Sequence, residues 1–171
     1  MKRNNVVLIG FMGSGKSTVG LRLSYRLRRC IEDTDKMIER REKISIKEIF
    51  ATKGEEAFRQ METDLLKELG EKLNNHILAV GGGTPVREEN RALLKELGTV
   101  IYLRAQADTV CKRLKNDTTR PLLQGENPRE KVAELLEARK EAYESSADII
   151  IDVDDLTMEE IVGKIEALVS K

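Results

Sequence analysis

The sequence predicts an α/β fold in which helices cover both faces of one parallel β-sheet. Short apolar runs alternate with amphipathic stretches along all 171 residues, which indicates strands that alternate with helices. A glycine-rich motif joins the first apolar run to the first amphipathic stretch, as in parallel sheets that bind a ligand at their strand ends. We expect one domain over residues 1–171, because this length suits a single hydrophobic core.

The glycine-rich motif runs from Gly10 to Ser17 and fits the phosphate-binding pattern Gly-x-x-x-x-Gly-Lys-Ser/Thr. Its flanks predict a buried strand over residues 6–9 and a helix over residues 17–28, which is the context that the motif requires. Lys16 is placed to reach the β- and γ-phosphates of a nucleoside triphosphate, and the Ser17 hydroxyl suits Mg²⁺. The expected nucleotide-binding residues of this loop are Gly13, Ser14, Gly15, Lys16, Ser17 and Thr18.

Four further apolar runs predict strands, over residues 30–32, 76–80, 100–103 and 148–151. Asp33 and Asp35 follow the second strand, and Gly81-Gly82-Gly83 follows the third. Ligands of parallel sheets gather at the carboxyl ends of the strands, so we expect both segments near the phosphate-binding loop. Three consecutive glycines also indicate a close approach of the backbone to another group.

The amphipathic stretches predict helices whose ends are marked by local signals. The longest, over residues 55–73, presents Arg59 and Glu62 beside an apolar stripe. Other helices are predicted over residues 36–41, 45–52, 88–97, 107–114 and 127–143, with a last one after residue 157. The residues expected to cap these helices are Asp108, Asn127 and Thr157 at the start and Gly98 at the end.

Charge and cysteine content argue against several classes of protein. Lys+Arg and Asp+Glu both count 30, so no net charge draws the chain toward nucleic acid or an anionic membrane. No apolar run approaches the ~20 residues that span a bilayer. Cys30 and Cys111 lie far apart without the spacing of a zinc site, and we expect free thiols. We expect a cytoplasmic protein, and we also expect a monomer.

Six motifs occur together along essentially the whole chain and resemble those of the shikimate kinase family. They are the loop 10–18, Asp33-Thr34-Asp35, the run 58–62, Gly81-Gly82-Gly83, the run 120–123 and the segment 137–143 around Arg139. The resemblance implies a three-layer P-loop kinase fold, similar to nucleoside-monophosphate kinases, with a five-stranded parallel sheet of order 2-3-1-4-5. It also implies a substrate-binding region over residues 33–61 and a lid over residues 115–124.

The implied reaction is the ATP-dependent phosphorylation of the 3-hydroxyl group of shikimate, in the chorismate pathway to the aromatic amino acids. Shikimate has one carboxylate, which a planar guanidinium group binds bidentately, and the resemblance assigns this contact to Arg59 and Arg139. It assigns the ring hydroxyls to Asp35 and a backbone N–H donor to Gly82. The other residues expected to line the substrate are Gly81, Gly83, Phe50 and Phe58.

Asp33 has two candidate roles at the end of the second strand. It could orient a Mg²⁺-bound water or accept the proton of the acceptor hydroxyl. We favour the first role, because phosphoryl transfer depends more on positioning and charge than on a strong base. The expected metal ligands are therefore Ser17 and Asp33, the latter directly or through water. Alternatively, Asp33 and Asp35 could only terminate a strand, and Glu62 could be a solvated charge or the partner that aims Arg59.

Two further arginines are assigned to ATP by the resemblance. Arg113 matches a position near the adenine, and Arg120 lies in the polar segment 115–125 with Pro121 behind it. We expect lid closure to carry Arg120 onto the transferring phosphoryl group. Either arginine, taken alone, could be a solvated surface charge. The expected catalytic residues are Lys16, Asp33 and Arg120.

Two other functions are compatible with the phosphate-binding loop. The first is another kinase of the same fold, acting on gluconate or a nucleoside monophosphate; a nucleotide acceptor would require a second base pocket and more phosphate-binding arginines. The second is a nucleotide-gated switch, which would need a water-positioning residue, commonly Gln. Neither Gln60 nor Gln124 lies in such a place in the sequence. ATP turnover that depends on shikimate distinguishes the predicted kinase from both.

Overall fold

The computed structural model describes residues 3–115 and 125–170, and it is built on a parallel β-sheet. The strands are β1 (Asn5–Ile9), β2 (Ile31–Asp33), β3 (Ile77–Ala79), β4 (Gly98–Arg104) and β5 (Ile149–Asp152). They form one five-stranded sheet in the order β2-β3-β1-β4-β5, and every pairing is parallel. The predicted sheet topology is therefore confirmed.

Helices join the strands in the described part of the chain. Their bounds are α1 (Lys16–Leu27), α2 (Thr34–Glu42), α3 (Ile46–Lys53), α4 (Glu55–Lys72), α5 (Glu88–Leu97), α6 (Ala107–Arg113), α7 (Pro128–Ser146) and α8 (Met158–Val169). A 3₁₀ turn, Thr84–Val86, follows the three glycines after β3. Each helix predicted from the sequence is present, with ends that differ by up to three residues.

The side chains of the central strand β1 alternate between two cores. Val6 and Leu8 pack on one face, in a cluster that includes residues of α1 and α8. Val7 and Ile9 pack on the other face, in a cluster that includes residues of α3, α4 and α5. All four side chains are at most 1% exposed, so the sheet is covered on both faces and the predicted three layers are confirmed.

The sheet order determines where the sequence motifs meet. β1 lies between β3 and β4, and β2 pairs with β3 on the outside. Because the strands are parallel, their carboxyl ends share one edge of the sheet. The phosphate-binding loop, Asp33 to Asp35 and the glycine segment Gly81-Gly82-Gly83 therefore lie side by side at that edge.

Gly98 was expected to end a helix, and the structure shows a different role. It is the first residue of β4 and pairs with Asn5 of β1. Its backbone is extended, with φ 170°, and a Cβ at this position would collide with the backbone of Asn5. Close strand pairing, and not a left-handed helix end, therefore explains the glycine.

The predicted caps of α6 and α7 are also corrected, whereas that of α8 is confirmed. Asp108 lies in the first turn of α6 and pairs with Arg129 of α7 instead of capping its own helix. Asn127 does stand at the N-cap of α7, but its side chain makes no capping hydrogen bond and its φ is 53°. Thr157 forms the predicted capping box of α8 with the residue three positions later, Glu160.

Cys30 and Cys111 are both free thiols, as expected. Within residues 3–115 and 125–170, no helix has the length and apolar character needed to cross a membrane.

Candidate active site

The phosphate-binding loop is folded as a nest that opens toward the N-terminus of α1. Gly13 and Gly15 have φ values of 78° and 103°, which a residue with a Cβ adopts only with strain. Gly15 is the N-cap of α1 and no side chain caps this helix end, which leaves a site suited to an anion. The Lys16 ammonium group folds back over the loop and donates to the carbonyl oxygens of Gly10 and Phe11, at 2.6 and 3.1 Å.

The other loop residues are placed differently from one another. Ser17 and Thr18 are exposed at the mouth of the loop and line a cleft of about 260 Å³. Ser14 is fully buried, its N–H donates to the Phe11 carbonyl oxygen at 3.1 Å, and its hydroxyl has no partner among the described residues. Its binding to the nucleotide stays a prediction, as do the other roles at this loop.

Arg113 reaches the loop from the end of α6. Its Nη1 donates to the carbonyl oxygens of Ser14 and Gly13, at 2.7 and 3.3 Å. A Cβ on Gly15 would lie 3.2 Å from the same nitrogen and 3.0 Å from the Met158 methyl group of α8. The structure therefore places Arg113 beside the nucleotide loop, and its predicted contact with the adenine stays a prediction.

Two carboxylates line the cleft together with the phosphate-binding loop. Asp33 caps α2 and accepts the N–H of Lys36 at 3.1 Å. This side chain therefore has a structural role at the end of β2, in addition to any role in binding a ligand. Both Asp33 and Asp35 line the cleft together with Lys16. The pKa of Asp35 is raised to about 6, first by burial and then by the neighbouring charges of Glu62 and Asp33, while the Lys16 charge opposes the rise.

Glu62 is a buried partner of Arg59 and not a solvated charge. The residue is 2% exposed, and its carboxylate accepts a hydrogen bond from Arg59 Nη1 at 2.6 Å. The hydroxyl of Thr84 donates to its second oxygen. A buried carboxylate with these two donors fixes the guanidinium group of Arg59, which is the second of the two roles expected for Glu62.

The two arginines assigned to the substrate carboxylate both lie against the glycine segment. A Cβ on Gly83 would collide with the Arg59 guanidinium group, and one on Gly82 would lie 3.9 Å from Arg139 Nη1. Arg59 lies over the Phe58 ring at 5.4 Å and Arg139 over the Phe11 ring at 5.6 Å, so each cation rests on an aromatic face.

Phe50 and Phe58 contact each other beside these arginines, with ring centroids 5.1 Å apart. Phe58 is 4% exposed and belongs to the core, whereas Phe50 is partly exposed. Their contact with a substrate ring stays a prediction.

The glycine segment has its carbonyl groups bound within the protein. The Gly81 oxygen accepts the N–H of Thr84, the Gly83 oxygen accepts that of Val86, and the Gly82 oxygen accepts the Tyr143 hydroxyl at 2.6 Å. The Gly81 N–H donates to Thr34 Oγ1 at 3.0 Å. The N–H groups of Gly82 and Gly83 donate to none of the residues that the structure describes, so they are available to a ligand.

Sequence reasoning missed the residues that hold the site in place. Thr34 binds Gly81, Thr84 binds Glu62, and Tyr143 binds Gly82. Each lies within a few residues of a recognised motif, which is the signal that could have identified it. Nothing in the local pattern marks Asp154, whose carboxylate accepts the N–H of Gln106 at 2.9 Å and the hydroxyl of Thr109 at 2.5 Å, and so binds the start of α6 from a distant loop.

The donor groups at the cleft fit a divalent cation bound largely by phosphate and water. A hydroxyl at Ser17 and carboxylates at Asp33 and Asp35 are hard oxygen donors on one cleft. Within residues 3–115 and 125–170 there is no group of three or more His, Cys, Asp or Glu side chains able to hold a metal by themselves. That arrangement suits a cation that arrives with the nucleotide.

Arg120 and most of the expected lid, residues 116–124, lie outside the described residues. Lys115 is the one described residue of the lid and is exposed. The predicted role of Arg120 therefore stays a prediction.

A phosphate-binding loop on the central strand of a 2-3-1-4-5 sheet, with two carboxylates in its cleft and two arginines against the adjoining glycine segment, defines a P-loop phosphotransferase. The family model described as shikimate kinase matches residues 12–169. The chain belongs to the shikimate kinase family, and it is an ATP-using enzyme that phosphorylates shikimate.

Curated relatives agree over nearly the whole chain. The shikimate kinase of Nitrosospira multiformis is 46% identical over 148 residues, which are 86% of this chain and 75% of that protein. The shikimate kinase of Geobacter sulfurreducens is 44% identical over 165 residues, which are 96% of this chain and 90% of that protein.

Solved structures are similar in fold over the same extent. The shikimate kinase from Acinetobacter baumannii in complex with shikimate has a TM-score of 0.89 at 38% identity, over 97% of this chain and 93% of that one. The deoxyadenosine kinase from M. mycoides has a TM-score of 0.64 at 17% identity, over 98% of this chain and all of that one, a likeness of fold alone. The predicted family, fold and activity are thus confirmed.

Proposed function

We propose that this chain transfers the γ-phosphoryl group of Mg-ATP to the 3-hydroxyl group of shikimate in the cleft between the P-loop and the glycine segment. The observation that best supports this proposal is the shared cleft: Lys16 and Asp35 line it together, and the glycine segment beside them contacts Arg59 and Arg139. One end of the cleft suits a triphosphate and the other a small polyhydroxy acid.

The nucleotide would be bound by the loop and the start of α1. The triphosphate would replace the carbonyl oxygens of Gly10 and Phe11 as the partner of Lys16. The ammonium group would then bind the β- and γ-phosphates. Mg²⁺ would be held by Ser17 and, directly or through water, by Asp33, where it supplies charge neutralisation between the phosphates. Arg113 would remain at the outer side of the loop, toward the base.

Shikimate would be oriented from its carboxylate. Arg59, held by the buried Glu62, and Arg139, which rests on Phe11, would bind the two carboxylate oxygens. Asp35 would accept hydrogen bonds from ring hydroxyls while the N–H groups of the glycine segment donate. These contacts leave the 3-hydroxyl group facing the γ-phosphate, so positioning and charge supply most of the catalysis.

ADP release with and without shikimate tests the proposal. Turnover should depend strongly on shikimate, and gluconate or nucleoside monophosphates should not replace it. Equal ATP hydrolysis without an acceptor would favour the nucleotide-gated switch, and preference for another acceptor would favour a different kinase of this fold. The cytoplasmic location, the monomeric state and the lack of nucleic-acid or membrane partners stay part of the proposal.

Arg59→Lys and Arg139→Lys are each expected to weaken shikimate binding while leaving the KM for ATP within about twofold. Lysine keeps the charge but cannot form the two-pronged carboxylate contact, so the loss should be about 1.5–3 kcal/mol. Calorimetric titration with shikimate measures it. Arg91→Lys, which replaces a guanidinium group bound to the carbonyl oxygens of Pro85 and Val86, is the matched control. Wild-type affinity in both site variants would mean that the carboxylate binds elsewhere.

The raised pKa of Asp35 predicts a pH dependence. The ionised carboxylate accepts hydrogen bonds from the ring hydroxyls more strongly than the protonated acid, so kcat/KM for shikimate should fall as the pH drops through about 6. A pH–rate profile from about pH 5 to about pH 8 measures this, because it covers about one unit below the transition and about two units above it. A flat profile over that interval would show that Asp35 ionisation does not control substrate binding.

Asp35→Asn provides the control, and it also tests stability. A folded-state pKa above the ordinary value of 3.8 means that this group stabilises the fold fully below 3.8 and loses that contribution as the pH rises through about 6. The free energy of unfolding of this uncharged variant should therefore exceed that of the wild type by about 1–3 kcal/mol at pH 7.5. Its activity should fall sharply. Its residual activity should lack the transition near pH 6.

A further inference from the structure

Tyr143 is a buried side chain to which neither the sequence nor the proposed mechanism gives a role. It lies on α7 with 0% exposure, and its ring packs against Tyr102 of β4 with centroids 4.9 Å apart. Burial of this kind ordinarily favours a phenylalanine, because a buried hydroxyl needs a partner. The hydroxyl therefore indicates a specific contact.

That contact is with the middle glycine of the segment beside the substrate. The Tyr143 hydroxyl donates to the Gly82 carbonyl oxygen at 2.6 Å. The carbonyl oxygens of Gly81 and Gly83 are bound by backbone N–H groups one short turn later, so Gly82 alone depends on a side chain. Because a peptide group is planar, fixing this oxygen also fixes the N–H of Gly83 on the opposite side of the same peptide.

The Tyr143 phenol also lies near one of the two arginines, Arg139. Arg139 stands four residues earlier on α7, and residues at this spacing lie on the same face of a helix. Burial raises the pKa of the Tyr143 phenol, and the nearby positive charge of Arg139 opposes that rise. The phenol thus stays protonated and able to donate, with the guanidinium group on one side and the glycine segment on the other.

We propose that Tyr143 is a positioning residue for shikimate. It fixes the position of the Gly82–Gly83 peptide relative to the Arg139 guanidinium group. The inference rests on the proposed function, because it assumes that both groups bind this substrate. Without the hydroxyl, the Gly82 carbonyl has no buried donor and the peptide can rotate, so both contacts with the acceptor lose their geometry. The hydrogen bond and the ring contact of Tyr143 are with Gly82 and Tyr102, and neither residue belongs to the phosphate-binding loop, so we expect ATP binding to depend on Tyr143 much less.

Tyr143→Phe tests this inference by removing one oxygen atom from a ring that otherwise keeps its packing. The KM for shikimate should rise about tenfold, the loss expected when one hydrogen bond to the substrate loses its geometry. The KM for ATP should stay within about twofold, and kcat should change little, since the lost contacts act on the bound substrate and the transition state alike. Calorimetric titration of shikimate without nucleotide should give the same loss of affinity.

Tyr102→Phe is the matched control, because it removes a hydroxyl from the neighbouring buried ring and should leave both KM values unchanged. A double-mutant cycle supplies a second measurement: Tyr143→Phe and Arg139→Lys should be non-additive in shikimate affinity. An unchanged shikimate KM in Tyr143→Phe, strict additivity, or an equal rise of both KM values with a lower melting temperature would overturn the inference. A wild-type protein without shikimate-dependent ADP release would overturn the proposed function instead.

Discussion

Lys16→Ala is expected to lower kcat/KM for shikimate phosphorylation by about 10³-fold while leaving the fold intact. The ammonium group is partly buried in the loop and belongs to neither apolar cluster, so its loss removes a cation from the triphosphate and not from the core. Charge grows on the phosphoryl oxygens as the reaction proceeds, which makes the cation most valuable in the transition state. Steady-state ADP release measures the effect, and circular dichroism verifies the fold.

The control for this variant is Lys36→Ala. Lys36 is an exposed lysine on α2 that lines a groove beside the same cleft, so its removal changes the local charge equally. Its activity should stay within about threefold of wild type, the scale of an exposed charge. Comparable losses in the two variants would mean that general charge near the cleft, and not the position of Lys16, determines the rate.

Arg120→Ala is expected to slow the chemical step by about 10³-fold. The residue lies outside the described residues, so the expectation rests on its sequence context within a polar segment that follows α6. An arginine delivered to the transferring phosphoryl group stabilises charge that exists mainly in the transition state, so kcat should fall more than KM rises. Lid opening could limit wild-type turnover, and single-turnover phosphorylation measures the chemical step without that complication.

Arg129→Ala is a suitable comparison for this lid arginine. Arg129 is an exposed arginine at the start of α7, just after the segment that joins α6 to α7, and it pairs with Asp108 of α6. Its loss should change the single-turnover rate by less than about threefold. If Arg120→Ala also phosphorylates shikimate within tenfold of the wild-type rate, Arg120 is only a surface charge.

The sequence predicted the sheet and the location of the cleft because both depend on local patterns. Apolar runs marked every strand, and the Gly10–Ser17 motif marked the central one. The order of the strands followed from the resemblance to a known family and was confirmed. Asp35 and the glycine segment were found because parallel strands place their carboxyl ends at one edge.

The contacts that hold the site rigid depend on residues far apart in sequence, so local patterns could not give them. Glu62 looked like either a solvated charge or a partner of Arg59, and only its burial against Thr84 decided between them. Asp108 had the composition of a helix cap, yet it pairs with Arg129, and Asp154, just beyond the neighbouring strand β5, binds the start of α6 instead. Such choices follow from tertiary packing, which overrides local preference.

The short outer strands of the sheet bear on how the protein behaves at high concentration. β2 has three residues and β5 has four, and charged side chains stand at their ends, among them Asp33 and Asp152. An unpaired strand is the usual template for aggregation between copies of a chain, and short, charged edges oppose it. A second copy joining either edge would form few backbone hydrogen bonds. Short, charged edges therefore disfavour association of copies through the sheet, and the monomeric state itself stays a prediction.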